Sequence, residues 1–225
     1  MLQSTCPRTR ASQKLHHGMI KIGQSIEGDI DAITRVEADS WPSALAASKD
    51  AIARRVSVYP EGQWVAVRDG QIVGVAFAQR MNPPLPPMSD LTYDLVTGGG
   101  SYAGTHVANG TWYQLIGVGV VQSAHGLRIG RSLIDRQIEF ARTLPGVVRI
   151  IGFTRPARFH ESSELSIEDY TNRRTESGRF ADPVLSFHLD SGARLVSIHP
   201  DFRPDDVQAR GYGILIEYPI DQACE

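Results

Sequence analysis

The stretch from Trp112 to Thr143 restricts the fold more than any other part of this 225-residue chain. Trp112 to Val121 is a nearly continuous apolar run with the length of a buried strand. Gly126 to Thr143 reads as an amphipathic helix whose apolar face is Leu133, Ile134, Ile138, Phe140 and Ala141. A glycine-bearing turn joins them, so a strand must feed a helix almost directly. The first N–H groups of such a helix lack intrahelical partners, and the helix dipole adds partial positive charge there. The turn therefore suits an anion such as a pyrophosphate. Gly126 and Gly130 would admit the backbone closely, and Arg128 and Arg131 would add charge. The segment is neither a Gly-Lys-Ser/Thr phosphate loop nor a G-x-G-x-x-G fingerprint. Glycines placed this way also let a helix pack tightly on a sheet, and the segment taken alone leaves both readings open.

Flanking elements follow from periodicity. Met19 to Ile22 alternates like a strand, and Asp29 to Glu37 carries Ile30, Ile33 and Val36 at helical spacing, stopping before Pro42. Lys49 to Val58 predicts a second helix. Gln63–Arg68 and Gln71–Ala78 flank Asp69-Gly70, a pair suited to the positive φ angles of a two-residue hairpin turn. Val147 to Phe153 predicts another buried strand, followed by a polar, partly helical insertion over 155–180. A helical piece at Pro183–Leu189 and strands at Ala193–Ile198 and Tyr212–Tyr218 close the chain. Residues 82–110 contain four prolines and Gly98-Gly99-Gly100, and read as either a lid or an ill-ordered excursion. The alternation of strands and helices, with one early hairpin, defines a mixed α/β (α+β) domain.

Composition narrows the function classes. Hydrophobic residues make up 41% and charged residues 21%, values of a globular protein with a core, and no apolar run is long enough to span a bilayer. A net charge of −2 gives no electrostatic footprint for nucleic acid. Cys6 and Cys224 lie at opposite ends, and no cysteine or histidine has metal-ligand spacing, so no metal site is expected and the expected compartment is a reducing cytoplasm. Residues 1–18 read as a disordered extension and 19–220 as the domain.

The succession of elements around this turn resembles the GNAT acyltransferase superfamily from about Met19 to Tyr218. That resemblance implies a single domain with a mixed, mostly antiparallel sheet of six to seven strands flanked by helices. It also implies acyl-CoA, malonyl-CoA or acetyl-CoA, as substrate, with no permanently bound cofactor. The family's turn reads Arg/Gln-x-x-Gly-x-Gly/Ala; here His125 stands first, Arg128 replaces the middle glycine and Gly130 closes it. By resemblance, His125, Gly126, Leu127, Arg128, Ile129, Gly130, Arg131 and Ser132 would hold the pyrophosphate. Val118, Gly119 and Val120 would pair with the pantetheine amides.

A second departure is more specific. Where the superfamily often has Phe-Tyr-x-x-x-Gly-Phe, this chain has Phe187-His188-Leu189-Asp190-Ser191-Gly192-Ala193. With Asp182-Pro183-Val184-Leu185-Ser186 before it, Asp201-Phe202-Arg203-Pro204-Asp205-Asp206 after it and Gly211 to Tyr218 closing, it is similar to the GNAT-like loading domains of polyketide synthases, curacin type. A version of that branch is also fused to carbon–nitrogen hydrolases. The resemblance places a catalytic threonine and histidine on Thr154 and His188 and an important arginine on Arg203. It implies decarboxylation of malonyl-CoA or a methylated analogue, with transfer of the acetyl group to an acyl carrier protein as a possible second step. The chemistry is consistent: losing CO2 leaves an enolate, and a hydroxyl and an imidazole N–H are donors that could hold its oxygen. Arg203 would hold either the malonyl carboxylate or the carrier's phosphate; alternatively Arg203-Pro-Asp-Asp is a turn with a local ion pair. Two other functions stay open: a conventional N-acetyltransferase using Glu217, Tyr218 or His188 as acid and base, and a non-catalytic acyl-CoA-binding module.

Overall fold

The computed structural model describes residues 18–84 and 90–220. Residues 1–17 of the proposed extension, both cysteines and the centre of the proline-rich segment lie outside those residues. Its strands are β1 (Ile20–Gln24), β2 (Gln63–Arg68), β3 (Gln71–Met81), β4 (Trp112–Val120), β5 (Arg149–Thr154), β6 (Arg194–His199) and β7 (Gly213–Tyr218). They form one seven-stranded sheet in the order β1-β2-β3-β4-β5-β7-β6. Every neighbouring pair is antiparallel except β4 and β5, as the reading of a mostly antiparallel mixed sheet requires. The hairpin turn has Asp69 at φ 51° and Gly70 at φ 77°.

Helices α1 (Ile30–Ser40) and α2 (Lys49–Val58) cover one face of the sheet. Ile33, Val36 and Ile52 meet Val65, Val75 and Phe77 there. On the other face α4 (Ile129–Thr143) buries Ile129 and Leu133 against Trp64, Ala66 and Ala76. Its Ile134 and Ile138 pack with Tyr113, Leu115, Ile150 and Ile216, beside Leu185 of α6 (Pro183–Leu189). Helix α6 starts where the sequence says it should. Asp182 accepts from the amides of Val184 at 2.9 Å and Leu185 at 3.0 Å, and Pro183 occupies the first turn, where its missing N–H costs nothing.

Two expectations need correction. α4 begins at Ile129, three residues later than its periodicity suggests, because Gly126 and Arg128 take left-handed φ values of 82° and 59° that cannot continue a helix. Of 82–110 the structure describes 82–84 and 90–110, and residues 90–110 are not the ill-ordered excursion that is one of the two readings. They contain a short helix α3 (Tyr93–Thr97), and Leu91, Val96 and Tyr102 are buried. Three consecutive left-handed glycines fold the chain back on itself. Arg55 pins the turn, donating to the Gly100 carbonyl at 2.7 Å while its guanidinium lies over Phe77 and Tyr102. Within 155–180 the helical content is a short 3-10 turn at Phe159–Glu161 and α5 (Ile167–Asn172).

Candidate acyl-CoA site

β4 and β5 stay paired only over Trp112–Leu115 and Arg149–Gly152. Beyond Leu115, β4 keeps its β3 neighbour but loses β5, and a cavity of about 600 Å³ opens at the divergence. The register explains how. Ala78 faces Leu115 and Phe77 faces Gly117, so Ile116 is an extra residue, a β-bulge that reverses which residues face each layer. Leu115 and Val118 both pack toward α4, while Ile116 joins the α1–α2 layer.

Of the three residues expected to pair with pantetheine amides, two have their backbone groups on the open edge of β4. Val121 N–H donates to Val73 on β3, so by alternation Gly119 spends its backbone on β3, whereas Val118 and Val120 turn theirs outward. The His125 ring already sits 3.0 Å from the Val120 carbonyl. Gly119 has a packing reason: a Cβ there would lie 2.9 Å from Ser40 Oγ at the end of α1. At Gly130 a Cβ would lie 3.3 Å from Phe187 Cζ, so this glycine lets α4 approach α6. Gly119 and Gly130 therefore have packing reasons, and Gly126 a conformational one.

At the mouth of the cavity the first amides of α4, at Ile129, Gly130 and Arg131, have no intrahelical acceptor. Ser132 N–H makes the first helical bond, to Arg128 O at 3.0 Å. Arg128 is exposed and stands left-handed where the resemblance puts a glycine, at a cost of roughly 1–2 kcal/mol. Arg131 has its Nε and Nη1 donors already engaged. It is bound to Asp135 at 2.8 and 3.0 Å and to the Asp190 carbonyl at 2.6 Å, clamping α4 to the end of α6.

Thr154 and His188, far apart in sequence, line the same cavity. Thr154 ends β5 in phase with Ile150 and Gly152, on the face that packs against α4 and α6. Its side chain is buried, and its hydroxyl has no hydrogen-bond partner among the described residues. An orphaned buried hydroxyl costs stability unless something else occupies its acceptor and donor directions. His188 lies on α6, with Nδ1 at 2.7 Å from the Tyr218 hydroxyl. Burial lowers the imidazole pKa to about 4, so the ring is neutral at pH 7. Burial also pushes the Tyr218 phenol well up, so it keeps its proton.

Arg203 borders the same cavity from the opposite layer. Phe202 stacks on Phe153 at 4.3 Å, and Phe153 points away from the Thr154 side. Arg203 donates to Leu45 O at 2.7 Å, and its guanidinium lies 4.2 Å over the Tyr93 ring. The expected local ion pair is not made by Arg203. Asp206, almost fully buried, receives Arg155 in a bidentate pair at 2.6 and 2.5 Å. Sequence reasoning missed this pair, whose members are distant in the chain, and it missed Tyr218 as the partner of His188. Alternation supplied a clue to the latter, since Ile214, Ile216 and Tyr218 share a strand face. Glu217 is on the other face, held by Arg149 at 2.7 and 3.0 Å and Arg194 at 2.5 Å, which keep its pKa low and its lone pairs occupied. Thr92 caps α3 and lines a smaller cavity, while Asp90 is exposed. Among the described residues no group of three potential ligands gathers to hold a metal ion, and no helix is long and apolar enough to cross a membrane.

A mixed sheet that parts at its single parallel pair, with open strand amides leading to a helix N-terminus, defines an acyl-CoA-binding acyltransferase fold. The chain belongs to the acetyltransferase (GNAT) family, whose model matches residues 30–162. A curated relative is the probable hydrolase YhcX of Bacillus subtilis (strain 168), 29% identical over 193 residues; the match covers 85% of this chain but only 37% of that protein. Among solved structures, the loading GNATL domain of CurA from Lyngbya majuscula is similar in fold, with a TM-score of 0.82 and 23% identity over 91% of this chain and 100% of that one. The GphF GNAT-like decarboxylase, solved in complex with isobutyryl-CoA, has a TM-score of 0.77 and 32% identity over 89% of this chain and 99% of that one.

Proposed function

We propose that the protein decarboxylates malonyl-CoA or a methylated analogue and hands the resulting acyl group to the thiol of an acyl carrier protein. The observation that carries this reading is the buried, unpartnered Thr154 hydroxyl in one cavity with the neutral His188. In this reading the pantetheine lies along Val118 and Val120 and the pyrophosphate rests on the amides from Gly126 to Ser132. The bond from the carboxylate carbon to Cα breaks, CO2 leaves, and the electron pair moves to the thioester oxygen as an enolate. Thr154 O–H and His188 N–H donate to that oxygen. Neither acts as a base, because no proton is removed from the substrate. Water then protonates Cα to give the acyl thioester. A carrier thiol can attack that carbonyl, expelling CoA as its thiol. Arg203, at the other side of the cavity, draws in the substrate carboxylate with the guanidinium donors that Leu45 leaves free.

The similarity to a GNAT-like decarboxylase supports this reading, as does histidine in place of the superfamily's tyrosine. Glu217, committed to two arginines, does not supply the base that amine acetylation needs. Mass spectrometry of malonyl-CoA with the protein, with and without a carrier protein, is the test. Acetyl-CoA and CO2 are expected, then acetylated carrier. Malonyl-CoA left intact by folded protein, or acetylation of amines instead, would overturn the reading.

A further inference from the structure

We propose that Tyr218 is a positioning residue that fixes the proton of His188 on Nε2, so that the ring meets the substrate oxygen as a donor. This rests on the reading of the cavity as an oxyanion cradle. The phenol oxygen and His188 Nδ1 are 2.7 Å apart, a usual O–H donor distance and shorter than the common N–H···O separation. Only one proton can lie between them. If Nδ1 carried it, the buried phenol would have to find another acceptor, and its one hydrogen-bond partner among the described residues is this ring. Nε2 would then turn a lone pair toward the developing negative charge. With the phenol as donor, both groups are satisfied and Nε2–H is left for the substrate.

The placement is rigid. Tyr218 sits directly opposite Ile150 on β7, a strand paired on both sides, and its side chain is buried in the core cluster beneath α4. Position 188 alone would hold an imidazole near the thioester without selecting a tautomer. The tyrosine thirty residues away performs that selection, and so the two residues form one functional unit.

The test has a spectroscopic arm and a kinetic arm. Long-range 1H–15N correlation spectra of 15N-histidine-labelled protein at neutral pH, without substrate, should report His188 as the Nε2–H tautomer with Nδ1 accepting. In Tyr218→Phe the Nδ1 shift should move toward that of a free acceptor. A proton on Nδ1 in the wild type, or an unmoved Nδ1 in Tyr218→Phe, would overturn the proposal. The wild-type spectrum decides even where the variant does not fold. With malonyl-CoA, Tyr218→Phe should lower kcat about tenfold with KM little changed. The same substitution should change kcat less than about twofold in a His188→Ala background. Fully additive losses would assign Tyr218 a role independent of the ring. If the wild type releases no CO2 yet shows the Nε2–H tautomer, the proposed reaction fails and the placement of the proton stands.

Discussion

Around the start of α4 the cavity is built from backbone, whereas around β5, α6 and β7 it is built from side chains. The first region has Arg128 where the resemblance puts a glycine, and Arg128 takes a left-handed conformation directly before the free amides of α4. Every residue except proline carries an N–H, so an anion site made of amides tolerates side-chain change. The second region offers no such tolerance. The Thr154 hydroxyl and the His188–Tyr218 pair each supply one group at one place. Gly130 is where the regions touch, because its missing side chain lets Phe187, the neighbour of His188, lie against α4.

The largest expected effect is in the side-chain region. Thr154→Ala and His188→Ala should each lower malonyl-CoA turnover by about a hundredfold or more, while CoA affinity measured by calorimetry holds. Equal loss of affinity would erase the distinction between the regions. Next comes their junction. Gly130→Val should push Phe187 away, costing about 1–3 kcal/mol of stability and weakening both turnover and CoA binding. A fall in binding alone, by titration, would show the two regions to be independent. At Arg203, replacement by alanine should raise KM for malonyl-CoA and leave acetyl-CoA affinity nearly unchanged; equal effects on both ligands would remove its assigned role.

Acidification sharpens the side-chain half. His188 has a folded pKa of about 4 against 6.5 unperturbed, so the unfolded chain takes up its proton first. That contribution to stability is fully present above pH 6.5 and is lost as pH falls toward 4. Turnover should stay level near neutrality, where the ring stays neutral. Comparing urea midpoints of wild type and His188→Gln across this range isolates the contribution. The smallest effect is in the backbone half: Arg128→Gly should relieve the left-handed strain, raise stability by about 1 kcal/mol and change CoA affinity little. A destabilised variant would mean the Arg128 side chain itself matters.

Much of this architecture can be read from local pattern. The Asp69-Gly70 turn, the span of α2 and the Asp182-Pro183 start of α6 are encoded within a few residues, because turn and cap chemistry acts over that distance. The premature start assigned to α4 has the same origin, since periodicity runs through Arg128 whereas backbone strain at one residue does not register in it. Residues 90–110 escaped for another reason: the arginine that orders their glycines is Arg55, on a separate helix.

By itself the sequence determined the alternation of elements, the glycine turn that sets helix amides at the end of a strand, and the presence of Thr154, His188 and Arg203 as candidates. Only the tertiary structure decided that Thr154 and His188 share one face while Arg203 approaches from the other, that Asp206 answers Arg155, and that Tyr218 holds the histidine ring. Local hydrogen bonds and apolar periodicity are short-range and leave a trace in neighbouring residues. Which side chains meet across a parted sheet depends on the β4 bulge and on strand register, and those are settled by packing the whole core at once.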